Sequence, residues 1–509
     1  MGKSDNKVSC ILEENKNIIK KRLNYNLSFD IVIREFNLMY KNNIYNGFIT
    51  YFEGMVNKDH INQNILFKMN STFNNTNTYN AKDLTSFIDN FTISNCSLEK
   101  KNFFDKIIND ICFGHVAVFV ETCNVAFVCN MINYEHRNIE KPYFESSIKG
   151  PQEGFNEVLN VNTALIRKNL RDENLVIEKI QIGKRATNVC AIMYIKGLTN
   201  KKIVKNVKKR ISSIDTDIII ATDTLSQYIE TSTFSPIPQI LPTERPDRVA
   251  GFLMQGRCVI LTNNSPIAGV VPTTIIDWFH STEDGYLKSP FNIIIKLIRI
   301  LAIFAAIFLP AIYIATVTYH INVFPTNIAM TLAASRELVP IPFVVEILIM
   351  ESAFELLREA EMRVPTRIGP VVSIVGGLML GQLAVMANII CSFTMIVVGF
   401  SGIALYALPN FYVSYGLRII RYFLIILAFL NGYLALSLGL LVFMLVLANT
   451  YSFNTRLLPS FYVNSQNNII KELFTTPIWK NERRTYINNP QDIYSQGKIS
   501  RRWLFDGKK

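Results

Sequence analysis

The sequence predicts an α/β soluble N-terminal region of two subdomains followed by an α-helical multi-pass membrane domain. Three observations carry that prediction. Up to about Pro290 of the 509 residues, strand-period and helix-period patterns alternate in an Asn-, Lys- and Ile-rich chain. Beyond it lie apolar runs, among them 300–319 and 368–417, the latter fifty residues without a charged side chain, for which a soluble core has no use. Between these runs, 346–367 is dense in carboxylates and guanidinium groups. Each costs about 2.5–3.5 kcal/mol at a bilayer centre, so they must be paired, hydrated or functional.

Residues 1–27 carry Lys, Asp, Glu and Asn with no apolar core, which reads as a flexible lead and not a cleavable signal. The N-terminal region is therefore expected on the cytoplasmic side. The first subdomain, 28–149, has strand patterns at 30–36 and 48–52, a helix at 58–69 and an Asn/Thr-rich loop at 70–81. A helix at 100–111 and strands at 115–121 and 125–129 complete it. The second, 150–289, opens with the turn Gly150-Pro151 and continues with helix 155–170, strands 175–182 and 189–195, helix 201–214, strand 217–221 and helix 224–229. That alternation predicts a mixed sheet. Helix 201–214 sets Lys201, Lys202, Lys205, Lys208, Lys209 and Arg210 around an apolar face of Ile203, Val204, Val207 and Ile211. Such a face is either solvated, the weightier reading, or a surface for lipid headgroups. Four prolines, Pro236, Pro238, Pro242 and Pro246, mark 235–247 as a stiff, extended connector placed to transmit motion toward the membrane.

The membrane domain is expected over 290–455. Its first span, 300–319, is kinked at Pro310 and preceded by Lys288, Lys296 and Arg299, which orient its start to the cytoplasm. Further spans fall near 371–391, 393–412 and 422–449, and 323–350 is open to crossing or re-entry. Four spans return the basic tail, 456–509, to the cytoplasm but leave Arg336, Arg358, Arg363, Arg367, Arg418 and Arg421 outside, against the positive-inside trend. A crossing at 323–350 brings these arginines back. The tail then returns only if 422–455 folds back near Asn431-Gly432, and the residues alone leave both topologies open.

Two sets of membrane residues are candidates for function. Ser373, Gly377, Gly381, Ala384 and Asn388 recur at steps of three and four, which puts small and polar groups on one stripe. Close helix packing is the weightier reading of that stripe from residues alone; a pore-facing surface in a ring of subunits is the sharper one. Glu351, Glu355 and Glu359 recur every four residues, with Arg358 and Arg363 at i+3 and i+4 as partners and Arg336-Glu337 available to join them. They form either self-satisfying ion pairs or a charged gating or cation-attracting element.

Other classes find little support. The net charge of +12 comes with no nucleic-acid-binding module; a cytoplasmic surface on anionic lipid is a better use of it, and compositional drift in an Asn-, Lys- and Ile-rich chain is the weightier reading of much of it. Eight scattered cysteines and five isolated histidines suggest neither a disulfide framework nor a metal site, and no cofactor is expected. Without a G-x-S-x-G, P-loop, H-E-x-x-H or dinucleotide turn, an enzyme is not expected.

Several motifs together resemble one family. They are Thr243-Glu244-Arg245-Pro246-Asp247-Arg248-Val249-Ala250, Val271-Pro272-Thr273-Thr274, Leu332-Ala333-Ala334-Ser335-Arg336-Glu337, Pro340-Ile341-Pro342, Met350-Glu351, Leu357-Arg358-Glu359-Ala360 and Ile368-Gly369-Pro370-Val371. The chain is similar, over nearly everything after residue 28, to the A subunit of GerA-type spore germinant receptors. The resemblance implies a multi-pass protein of the spore inner membrane, its N-terminal region on the core side. It implies action with a nutrient-binding B subunit and a lipoprotein C subunit, in a pentameric assembly whose A subunits conduct monovalent cations when germinant is present. This raises the pore reading of the stripe above packing, and it makes Glu244, Arg245, Pro246, Asp247 and Arg248 the candidate coupling connector. A paralogue encoded with the dipicolinic acid channel, modulating ion release, is the alternative from the same lineage. A non-conducting scaffold of receptor clusters is the alternative from another class.

Overall fold

The computed structural model describes residues 7–40, 43–67, 84–88, 98–132, 142, 145, 149–363, 369–458, 483–484 and 490–497. The expected loop at 70–81 and most of the basic tail lie outside these residues.

The first sheet has five antiparallel strands, β1 (Ile31–Tyr40), β2 (Asn43–Phe52), β3 (Leu98–Lys101), β4 (Val116–Val120) and β5 (Ala126–Cys129), in the order β1-β2-β4-β5-β3. The strand β4, Val-Ala-Val-Phe-Val, is buried along its whole length because both faces are covered. Val116, Val118 and Val120 meet Ile61, Ile65 and Phe87 on one side. Ala117 and Phe119 meet Ile19, Phe104, Ile107 and Ile111 on the other, where helices Leu12–Arg22 and Phe104–Phe113 lie. Gly114, with φ +96°, ends the second of these helices in the left-handed cap that glycine favours.

The second sheet repeats the plan with β6 (Leu175–Ile182), β7 (Asn188–Ile195), β8 (Leu241–Thr243), β9 (Cys258–Thr262) and β10 (Ala268–Val271), in the order β6-β7-β9-β10-β8. Helices Leu159–Asn169 and Pro246–Met254 cover one face. Helices Lys201–Ser212 and Thr222–Ile229 cover the other. The two subdomains are tied by Asp30 and Arg167, a buried pair whose second bond, Nη2 to Oδ1, is 3.0 Å.

One expectation is corrected here. The sheet is not mixed: every ladder is antiparallel, and 217–221 contributes one isolated parallel bridge, Ala186 to Ile218. Ile218 and Ile220 are exposed and only Ile219 is buried, so that trio has no second face to cover, and β9 and β10 take the central places. The proline-rich 235–247, expected as a stiff, extended connector within this subdomain, is tied into its fold. Pro242 sits in the edge strand β8, where a missing N–H costs nothing, and Pro246 opens the helix Pro246–Met254 at its first turn.

The helical part begins at Ser289. An entry helix, Ser289–Tyr319, leads away from the soluble subdomains. At its distal end comes a short helix, Thr326–Arg336. An acidic helix, Phe343–Arg363, runs back, followed by a glycine-rich helix, Gly369–Met386, leading out and a return helix, Ser392–Tyr406. The return leg is 343–363, which overlaps only the end of the segment 323–350 that was open to crossing or re-entry. The expected span 393–412 is divided, because Pro409 cannot continue a helix and the Asn410 side chain accepts from the N–H groups of Tyr412 and Val413 to start the next.

That last helix, Phe411–Asn449, has 39 residues and would reach about 58 Å if straight, nearly twice a hydrocarbon layer of about 30 Å. It is broken instead. Asn431 (φ −152°, ψ 31°) and Gly432 (φ 57°, ψ −138°) leave helical geometry, and the halves fold against each other, so that a Cβ on Gly439 would lie 2.7–2.8 Å from Leu427 and Leu424. The expected span at 422–449 is therefore a hairpin. Tyr319, closing the entry helix, donates from its hydroxyl to the carbonyls of Phe429 (2.6 Å) and Leu430 (3.1 Å), which the break has deprived of helical partners. The hairpin's base returns to the second subdomain, where Ser452 Oγ donates to Gln239 O and Ile275 N to Leu457 O (3.0 Å).

Candidate functional site

The charged groups of the helical part form a column along the acidic helix, and each level meets a different neighbour. At the distal level Glu346, fully buried, accepts from Cys391 N (2.9 Å) and Thr394 Oγ1 (3.1 Å) at the start of the return helix. Arg336 stands 3.9 Å from its other oxygen and stacks over Phe343, 3.5 Å from the ring centre. One turn and a half along, Glu351 (1% exposed) pairs with Arg421 (2%) of the hairpin's first arm and accepts from Ser401 Oγ (3.3 Å). Next, Glu355 meets three guanidinium groups: Arg418 at 3.0 Å, Arg358 at 3.4 Å and Arg421 at 3.8 Å. At the end nearest the soluble part, Glu359 and Arg363 pair at 2.6 Å in exposed positions. Glu337 caps the short distal helix and is exposed, apart from the column.

Local pairs were accessible from spacing: Glu355 with Arg358 and Glu359 with Arg363 are i+3 and i+4 neighbours. The partners from the hairpin, Arg418 and Arg421, were not read as members of the site. A signal existed, since they are the two charged residues of the whole stretch 368–449, three apart and so on one helix face.

A cavity of about 130 Å³ opens beside the column, lined among others by Glu351, Glu355, Glu361, Tyr406 and Arg421. Gly399 and Gly402 of the return helix border it, and a Cβ on either would meet no atom within 4 Å. Nε and Nη1 of Arg421 are buried without a hydrogen-bond partner among the described residues. A guanidinium with unmet donors beside open space is chemically prepared for water or another acceptor.

Three members of the stripe on the glycine-rich helix, Gly377, Gly381 and Ala384, lie against other helices of the same chain. Gly377 lies against Leu357 of the acidic helix (3.9 Å from a Cβ to Cδ1), a Cβ on Gly381 would run into Met395 of the return helix, and Ala384 packs against the main apolar cluster. Asn388 lies beyond the helix end at φ +52°, exposed. Ser373 lies on the helix Gly369–Met386.

The residues 244–248 form a knot where the second subdomain meets the entry helix. Arg245 (1% exposed) grips Asp247 with two bonds (3.1 and 2.9 Å) and donates to Pro151 O (2.8 Å) and Glu145 O (3.2 Å). Glu244 O accepts from Phe155 N (2.9 Å), and Tyr286 Oη donates to Asp247 (3.2 Å). Arg248 pairs with Glu145 and donates to His280 O (3.2 Å).

From His280 the network enters the helical part. Its Nδ1 lies 2.9 Å from Ile276 O and so carries the proton, which leaves Nε2 to accept from Lys296 Nζ at 2.9 Å. Burial, and then the Lys296 ammonium, hold His280 below its usual pKa. Asp284 accepts from Arg299 (2.8 Å), and the fork of Arg257 clasps Asp277 at 2.7 and 2.8 Å. Burial works against ionisation of Asp277, yet the Arg257 charge together with the hydrogen bonds from Arg257 and Thr274 outweighs it and keeps the carboxyl below the usual carboxylate range.

The two-sheet region is thus joined to the helical bundle through Arg299–Asp284 and Lys296–His280, and the bundle carries its own column of paired charges. The chain belongs to the Bacillus/Clostridium GerA spore germination protein family, whose model matches residues 17–487. It is 33% identical to spore germination protein KA of Bacillus subtilis over 486 residues, 96% of this chain and 88% of that protein. To spore germination protein GerLA of Bacillus cereus it is 34% identical over 395 residues, 77% and 80% of the two chains. A crystal structure of the N-terminal domain of the A subunit of the Bacillus megaterium spore germinant receptor GerK3 aligns with 52% of this chain and 95% of that one, at 24% identity and a TM-score of 0.40.

Proposed function

We propose that this chain is the A subunit of a nutrient germinant receptor of bacterial endospores and forms, with B and C subunits and further copies of itself, a germinant-gated monovalent cation channel in the spore inner membrane. In this reading six helical passages cross the bilayer: the entry helix, the acidic helix, the glycine-rich helix, the return helix and the two arms of the hairpin. Both soluble ends then face the spore core, and Arg358, Arg363, Arg418 and Arg421 lie toward that side, in keeping with the positive-inside trend.

The observation that carries the reading is the column of paired charges joining the acidic helix to the hairpin beside an open cavity. Its carboxylates are answered by guanidinium groups, so their role is a lock between two helices, not an open ring that draws cations. Opening requires the acidic helix to exchange partners, and the knot at 244–248 couples the soluble part to that movement through His280 and Lys296. The small-residue stripe is the face along which the glycine-rich helix slides or, in the assembled ring, lines the conduit.

Potassium release from spores lacking this chain, measured across amino acids, sugars and nucleosides, tests the assignment. Loss of release for one nutrient class is expected. Slower release to every nutrient, with none abolished, overturns the receptor-subunit reading, and absence of current from the reconstituted complex under any germinant overturns the channel.

A further inference from the structure

The helix Lys201–Ser212 buries Ile203, Val204, Val207 and Ile211 in the second subdomain and turns its lysines outward. What it touches at its edge gives those lysines a location. Phe453, in the turn that follows the hairpin, belongs to the same apolar cluster as Ile203, Val207 and Ile211. Asn206 Nδ2 donates to Asn454 Oδ1 at 3.1 Å, and the Arg210 guanidinium lies 4.6 Å from the Phe453 ring centre. The basic helix is thus fastened to the chain within a few residues of Asn449, where the hairpin ends.

Lys202 and Lys209 lie four residues before and three after Asn206, on its own stripe, and Lys205 is within one turn of both. Lys208 is taken by Glu178 and Arg210 by Ile229 O and Thr231. Lys202, Lys205 and Lys209 make no ion pair among the described residues. Beside the same turn, Tyr451 is 42% exposed with Arg456 near its ring, the amphipathic pairing that belongs at headgroup level. We propose that Lys202, Lys205 and Lys209 form a docking surface for anionic lipid headgroups, set at the point where the hairpin leaves the membrane. The proposal rests on the membrane reading above. It converts a lysine stripe that, from sequence, is weightier as a solvated face into one held within about a Debye length of the bilayer, where each lysine changes partitioning about five-fold.

The test uses the full chain in nanodiscs of phosphatidylcholine alone or with phosphatidylglycerol added, and follows acylation of individual lysines by an amine reagent. With phosphatidylglycerol, modification of Lys202, Lys205 and Lys209 should slow several-fold relative to exposed Lys179, and high salt should abolish the difference. Equal rates in the two lipids, whether fast or uniformly protected, overturn the proposal; uniform protection points to a covering protein partner. The triple variant Lys202→Gln/Lys205→Gln/Lys209→Gln should enter nanodiscs as well as the parent yet retain several-fold less phosphatidylglycerol through detergent purification. Undiminished retention overturns the proposal alone, whereas failure of the parent chain to enter nanodiscs overturns the membrane reading with it.

Discussion

Replacing Arg421 by Met tests whether the charge column is held by mutual compensation. The substitution leaves Glu351, 1% exposed, with Ser401 as its remaining partner, and takes from Glu355 a charge at 3.8 Å. At an effective dielectric of about 20, a pair at that separation is worth roughly 4 kcal/mol, and breaking a buried ion pair from one side costs about 3–5 kcal/mol. Arg421 also carries two buried nitrogens without acceptors, whose removal is a relief, so the lower end, about 3 kcal/mol, is expected. For a helical part of this size that corresponds to a fall of roughly 6–12 °C in Tm. The assay is thermal unfolding of the full chain in detergent at neutral pH, comparing the single variant with Arg421→Met/Glu351→Met. Removing both charges should recover most of the loss, because no uncompensated charge remains. A single variant as stable as the parent, or a double variant less stable than the single, would refute the argument that each charge is there to answer the other.

Three further outcomes follow from local geometry. Gly432, at φ 57° and ψ −138° with Tyr319 against it, should tolerate Ala poorly, losing about 1–3 kcal/mol in the same unfolding assay. A Cβ at Gly416 would collide with the backbone carbonyl of Pro236, so Gly416→Ala should cost about 1–3 kcal/mol and increase proteolysis between the soluble and helical parts, while Gly399→Ala, which meets open space, should do neither. His280 has a lowered pKa, so below about pH 6.5 the unfolded chain binds a proton that the folded one does not. Its contribution is therefore present above that pH and lost as the pH falls toward the lower folded-state value; His280→Gln, which keeps an acceptor for Lys296, should flatten this part of a stability–pH curve.

Legibility in the sequence followed the range of the interactions. Strands β6 and β7 and the helix at 201 were readable because their periodicity is local. Strands β9 and β10 were missed because both are short and buried on two faces, which erases the alternation that marks a half-exposed strand. Prolines 236–246 suggested a linker because composition does not reveal that Pro242 lies on a sheet edge. In the charge column the i+3 and i+4 pairs could be anticipated, but the pairing of Glu351 with Arg421 spans seventy residues and depends on the hairpin, whose turn signal is the single pair Asn431-Gly432.

The pairing of the column bears on how the protein would respond to an electric field. Glu346, Glu351, Glu355 and Arg358 give the middle of the acidic helix two net negative charges, and Arg418 and Arg421 give the facing hairpin arm two positive ones. If the two helices move as one body, no net charge is displaced, and membrane voltage performs no work on the transition. If the acidic helix slides past the hairpin, as an exchange of partners demands, up to two elementary charges move in opposition on each side, at about 2.3 kcal/mol per charge per 100 mV for a full crossing. On the channel reading proposed above, voltage dependence of the response would therefore separate a sliding lock from a rigid rotor.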